Sequence, residues 1–127
     1  MARPAAKVLT NREWEVMQVF WKRGEITAQE ARDELARMGI DRAYTTVATL
    51  VRILTEKGFL KQTNHERPFL FVPVRSYEEV SRRLLGDLLE RVFEGSREQM
   101  LVRLLEQKKL TPKERARLEN FLRENQG

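Results

Sequence analysis

Apolar residues in this chain first recur at the three- and four-residue steps of amphipathic helices. They then switch to short β-type runs and return to helical steps until the end. The first helix is expected from about Asn11 to Arg23, where Trp14, Val16, Met17, Val19, Phe20 and Trp21 make a broad apolar face and Gly24 ends it. A second, from about Ala28 to Met38, has Ala31, Leu35 and Met38 as its buried stripe and stops at Gly39. Between them "EIT" reads as a short strand pairing elsewhere. A third helix runs from about Ala43 to Lys57 and stops at Gly58. "FLKQT" and "PFLFVPV", separated by the polar "NHER", then read as a hairpin, with Pro68 and Pro73 placing the strands at a sheet edge or limiting their ends. From Ser76 the period is helical again, through Tyr77, Val80, Leu84, Leu85, Leu88, Leu89, Val92 and Phe93. "EGS" breaks this run; Met100, Leu101, Leu104 and Leu105 stripe the next helix, and Leu118, Phe121 and Leu122 the last. Helix starts are marked by a hydroxyl residue with Glu or Gln three positions later, in "TNRE", "TAQE", "SYEE", "SREQ" and "TPKE".

Three helices followed by a hairpin outline a mainly α fold with a small β-hairpin wing: a winged helix-turn-helix over residues 1–75. Residues 76–127 hold too few helices to bury their apolar stripes well alone. A second copy of the chain is the economical cover, since closed two-fold dimers dominate among homo-oligomers. These residues are therefore expected to form a helical dimerisation region through Val80, Leu84, Leu88, Val92, Leu101, Leu104, Leu105, Leu118, Phe121 and Leu122.

The third helix carries an unusual polar face. Ala43, Val47, Leu50, Val51 and Leu54 fall on its inner side, while Arg42, Thr45, Thr49, Arg52 and Glu56 lie opposite, with Thr46 towards one edge. Solvated helix faces are normally filled with Glu, Lys and Gln, which favour the helix more than threonine does. Threonine suits close approach to a duplex: its hydroxyl bonds a phosphate or base edge and its methyl packs on thymine, while arginine clamps guanine or phosphate. The early residues of the second motif helix meet the bases in helix-turn-helix proteins. Arg42, Thr45, Thr46, Thr49 and Arg52 are thus the expected DNA contacts, with Lys61 and Arg67 touching phosphates from the wing. His65 reads as part of a polar turn, because a single histidine builds no metal cluster. Arg3 and Lys7 read as a frayed terminus or a basic arm.

Charge and composition narrow the class. The formal charge of +5 suits a polyanionic partner, and most of it lies early: residues 1–75 hold 13 Lys and Arg against 9 Asp and Glu, residues 76–127 hold 11 against 10. The absence of cysteine excludes disulfides, thiolate metal sites and thiol catalysis and fits a cytoplasmic protein. "MARPAAKVLT" lacks the apolar run of a signal peptide, and no stretch approaches the roughly 20 apolar residues that cross a bilayer. No cofactor, metal or membrane insertion is expected. Nothing points to an enzyme: the lone histidine lacks a nucleophile, and Glu78–Glu79 sit where dipole compensation at a helix start explains them. The alternative is a winged-helix protein–protein interaction module without sequence-specific DNA binding.

"LTNREWEVMQVFWKRGEITAQE", "YTTVATLVRILTEKGFL" and "FEGSREQMLVRLLEQKKLTPKE" together resemble the penicillinase repressor family, of the BlaI, MecI and CopY type, over almost the whole chain. The most specific parts are Leu9–Thr10, Glu13–Trp14 and Met17, and Thr46–Val47, Thr49–Leu50 and Lys57–Gly58. The resemblance implies a homodimeric repressor on a double-stranded, palindromic DNA operator, with contacts at Thr45, Thr46 and Thr49 and dimerisation by the C-terminal helices. It further implies derepression by a membrane sensor metalloprotease pathway, with cleavage near Arg103–Leu104. Three departures stand out. Ile53 occupies the usual arginine position, with Arg52 directly before it and about 100° away around the helix. Arg103–Leu104 replaces the Asn–Phe of cleaved members. The missing cysteines exclude the copper-sensing mode.

Overall fold

Each helix begins and ends where local chemistry satisfies its orphan backbone groups. In the computed structural model, which describes residues 8–125, helix α1 spans Asn11–Arg23, strand β1 Ile26–Thr27, α2 Ala28–Arg37 and α3 Tyr44–Glu56. Strands β2 (Leu60–Gln62) and β3 (Leu70–Pro73) follow, then α4 (Tyr77–Phe93), α5 (Arg97–Gln107) and α6 (Pro112–Glu124). Full capping boxes start α1 at Thr10, α2 at Thr27 and α6 at Thr111. Ser76 and Ser96 make only the forward half, accepting from the Glu79 and Gln99 amides. Glu79 instead accepts from Arg75 at 3.0 Å.

Two helices end in the same turn. At α2 the Gly39 amide donates to the Ala36 carbonyl and the Ile40 amide to Leu35; at α3 the Gly58 amide donates to Thr55 and the Phe59 amide to Leu54. Both glycines hold positive φ, +85° and +87°, which a side chain would resist. The turn reverses the chain so that the residue after glycine packs inward. Ile40 packs against the core and Phe59 lies within it. Met38, expected in the buried stripe of α2, is 44% exposed, because the helix closes at Arg37 and Ile40 takes the inward place. Ala43 is also exposed: it is the extended N-cap of α3, not a member of its stripe.

The chain divides into two compact units, the first ending at Leu84 and the second beginning at Leu85. In the first unit α1, α2 and α3 pack around Met17, Val19, Phe20, Ala31, Leu35, Val47 and Leu54, all without solvent exposure. Burial of a side chain such as Phe20 or Leu54 stabilises by about 2–3 kcal/mol. The sheet has the order β1-β3-β2, antiparallel throughout, with Ile26 opposite Phe71, Thr27 opposite Leu70, and Leu60, Lys61 and Gln62 opposite Pro73, Val72 and Phe71. The "EIT" strand thus makes β3 the central strand rather than an edge. Pro73 is tolerated because it closes β3.

Val80 and Leu84, expected at the dimer interface, lie with the first unit in the single chain. Val80 is 6% exposed within this first core and Leu84 packs against it, so both anchor the start of α4 to their own unit. Trp14, Trp21 and Tyr77 stack edge to face nearby, with centroids 5.3–6.1 Å apart, and the Trp21 indole donates to the Arg75 carbonyl at 2.8 Å. In the second unit α5 and α6 bury none of their described residues. Leu88, Val92, Leu101, Leu104, Leu105, Leu118, Phe121 and Leu122 are all exposed, Phe121 by 60%.

Candidate nucleic-acid interface

Helix α3 is two-sided. Val47, Val51 and Leu54 are at most 1% exposed, whereas Thr45, Thr49 and Arg52 are exposed and Thr46 is half-buried. Among the described residues, Thr55 is the α3 threonine whose hydroxyl bonds within the chain, to the Val51 carbonyl; those of Thr45, Thr46 and Thr49 have no such partner. Arg52 pairs with Glu56 at 3.1 Å along the helix surface, an exposed pair that yields readily to another anion. The start of α3 differs from those of α1 and α2, since Ala43 offers no side-chain cap and the first turn has no acidic residue.

Arg42 lies before α3 rather than on it. Its guanidinium is held by Glu15 of α1, with Nη2 at 3.2 and 3.3 Å from the two carboxylate oxygens and Nε at 3.3 Å from one. Its carbonyl accepts from Arg32 Nε of α2 at 3.4 Å. Sequence periodicity places Arg42 with the threonines; the structure places it beside them with an internal partner.

The hairpin depends on Asn64, a residue whose type in "NHER" marks only a polar connection. Its Oδ1 accepts from the Leu70 amide at 2.7 Å, and its Nδ2 donates to the Glu66 and Pro68 carbonyls at 2.9 and 3.1 Å. Asparagine commonly organises turns through such side-chain bonds to backbone. Lys61 is exposed on β2, His65 is exposed at the tip, and Arg67 is exposed with its guanidinium 5.1 Å from the Phe69 ring centroid. Arg3 and Lys7 lie outside the described residues.

Two buried carboxylates fix the helices behind this surface. Glu13 completes the α1 capping box and accepts from Lys57 at 2.8 and 3.1 Å, joining the start of α1 to the end of α3. Burial pushes its pKa up, but the bonds from Lys57 and Thr10 and the Lys57 charge outweigh that, leaving it below the ordinary value. Glu34 accepts from Lys22 at 3.0 Å, Arg23 at 2.9 Å and Arg37 at 2.7 Å, tying the ends of α1 and α2. The Lys22 bond leads and, with the two arginines, overrides burial to hold its pKa at about 2. The capping motif flagged Glu13; no local signal announced Lys57 as its partner or Glu34 as buried. The Arg103–Leu104 bond lies inside α5, with Arg103 3.4 Å from Glu106.

A family model described as penicillinase repressor matches residues 9–124. The chain belongs to the penicillinase repressor family. The transcriptional regulator BlaI of Mycobacterium tuberculosis is 32% identical over 92 residues, covering 72% of this chain and 67% of that protein. The methicillin resistance regulatory protein MecI of Staphylococcus aureus strain N315 is 23% identical over 114 residues, covering 90% and 92%. A solution structure of the DNA-binding domain of the repressor BlaI superposes with a TM-score of 0.51 at 26% identity, over 61% of this chain and 93% of that one. As a member of the penicillinase repressor family, the chain is a winged-helix transcription regulator, not an enzyme. Among its described residues no helix is long and apolar enough to cross a membrane.

Proposed function

We propose that this penicillinase repressor family member acts in the cytoplasm as a homodimer that occludes promoters by occupying a palindromic operator. Residues 1–75 read the DNA, and the helical region 76–127 joins the two copies. One observation carries the reading: the hydroxyls of Thr45, Thr46 and Thr49 have no partner among the described residues, opposite a stripe with almost no exposure. A helix with that division presents short donors and methyls to a major groove while its core side stays fixed. The amides of its first turn, free of a side-chain cap, suit an adjacent phosphate. Arg52, Lys61 and Arg67 add phosphate contacts, and Arg42 stands at the rim.

The exposed apolar residues of the second unit support the dimer, because so many large apolar side chains left uncovered in a single chain invite association. Two reading heads on one dimer bind a dyad far more tightly than one, through the effective concentration of the second. Derepression by a membrane sensor metalloprotease pathway acts on that gain: cleavage at Arg103–Leu104 separates α6 and the end of α5 from the DNA-reading residues. The bond is helical, so α5 must open locally before it is cut.

Selection of bound duplexes from a random pool by the purified full chain tests the reading. A recovered two-fold motif is expected. A pool without any enriched sequence refutes it and favours a protein-interaction role for the α3 surface.

A further inference from the structure

We infer that Glu15 is a positioning residue that holds down sequence-independent DNA binding by occupying Arg42. The inference rests on the reading of α3 as the DNA-facing helix. An arginine free at the rim of such a helix clamps any phosphate, whatever the sequence, and strengthens binding to all DNA alike. Here that arginine is already taken. Both oxygens of the Glu15 carboxylate lie 3.2–3.3 Å from its guanidinium, and the backbone carbonyl of the same residue is held by Arg32.

The geometry separates this pair from the chain's structural ones. Glu34 and Glu13 are buried, with their closest cation contacts at 2.7 and 2.8 Å. The Arg42 and Glu15 side chains are 29% and 27% exposed, and their contacts exceed the roughly 2.7–2.9 Å of strong charge-assisted bonds. Both side chains keep contact with water and the bonds are long, so Glu15 holds Arg42 less firmly than the buried carboxylates hold their partners. A phosphate approaching Arg42 must share it with, or take it from, a carboxylate that also repels the phosphate. Among the described residues the threonine hydroxyls have no partner to give up. The pair therefore lowers the electrostatic part of binding while leaving the base-reading part intact, which raises discrimination between operator and other DNA.

Glu15→Gln keeps the size of the side chain and removes its charge. The test compares this variant, Arg42→Gln and the double variant with the natural full chain, on the duplex recovered by selection and on a scrambled duplex of equal length across a salt series. Glu15→Gln is expected to bind the scrambled duplex several-fold more tightly at low salt. Its salt dependence should steepen by about two counterions, one for each head of the dimer, a roughly 12-fold larger loss of affinity between about 50 and about 200 mM salt. The operator-to-scrambled affinity ratio should fall, and Arg42→Gln in the same chain should abolish the gain. An unchanged slope on scrambled DNA overturns the inference, as does a gain that survives Arg42→Gln, since it would then reflect net charge alone. If the natural chain binds no duplex selectively, the DNA reading itself falls. If it binds its operator while Glu15→Gln leaves scrambled binding unaltered, only the role of Glu15 falls.

Discussion

Thr49→Ala separates recognition from stability because the two effects have opposite signs. Thr49 is exposed on α3 and its hydroxyl bonds nothing among the described residues, so no internal contact seen there is lost. Alanine is the better helix former by about 0.5 kcal/mol, which raises the thermal midpoint of the first unit by about 2–4 °C. On DNA the loss of a hydroxyl and a methyl from a base edge costs on the order of 1 kcal/mol per half-site. A symmetric dimer carries the change twice, and about 2 kcal/mol lowers operator affinity roughly 30-fold. The assay is fluorescence anisotropy on the selected duplex and on its single-position variants at one salt concentration, with thermal unfolding in parallel. Discrimination should relax at one symmetric pair of positions and stay intact elsewhere. A variant that is more stable yet keeps its full sequence profile refutes the orientation assigned to α3; one that loses stability refutes the claim that Thr49 has no structural partner.

The wing lysine and arginine should behave differently from the threonine. Lys61→Ala or Arg67→Ala should weaken selected and scrambled duplexes alike and reduce the salt slope by about 2, one for each head of the dimer, and a change confined to one operator position would count against a phosphate role. For Glu34 the folded pKa of about 2 lies below the ordinary value of 4.5. Its stabilising contribution is therefore complete above the higher value and is lost as pH falls towards the lower one. Glu34→Gln should flatten the fall of the urea midpoint across that interval; an equal fall in both proteins would show that Glu34 does not carry it. Phe121→Asp places a charge on an exposed apolar residue of α6, which is 60% exposed in the single chain. It should leave the first unit's unfolding unchanged while sedimentation equilibrium reports monomer and operator affinity drops; a dimer of unaltered strength would remove α6 from the interface.

Element order and helix limits were legible because their signals are local. A hydroxyl with glutamate three residues on, or a glycine after the last periodic residue, acts within one turn, and α1 runs from Asn11 to Arg23 as the pattern requires. What pattern could not carry is chain reversal. The stripe of α2 continues arithmetically to Met38, but the turn at Gly39 spends that position on backbone bonds and sends Ile40 inward instead. The "MGI" and "KGF" triplets held this signal, an apolar residue directly after the glycine. Asn64 was illegible for a related reason. Its bonds reach Leu70 and Pro68, and a polar loop residue says nothing about its partners until the strands are paired.

Charge shows the same limit at longer range and with a functional consequence. Periodicity sorts a carboxylate to the polar face and stops there. Three glutamates of the first unit have separate uses: Glu34 draws three cations into the base of the α1–α2 pair, Glu13 joins α1 to α3, and Glu15 meets the arginine at the rim. Each partner lies 3 to 44 residues away in sequence, so only the packing of the helices decides which arginine is structural and which is available. Sequence reasoning counted Arg42 as free positive charge for DNA. In the folded chain its charge is already met by Glu15, and the threonines beside it are without partners among the described residues. The surface beside the start of α3 is accordingly less basic than its composition implies. Affinity in such an interface responds less to salt and more to base identity than one built on free arginines.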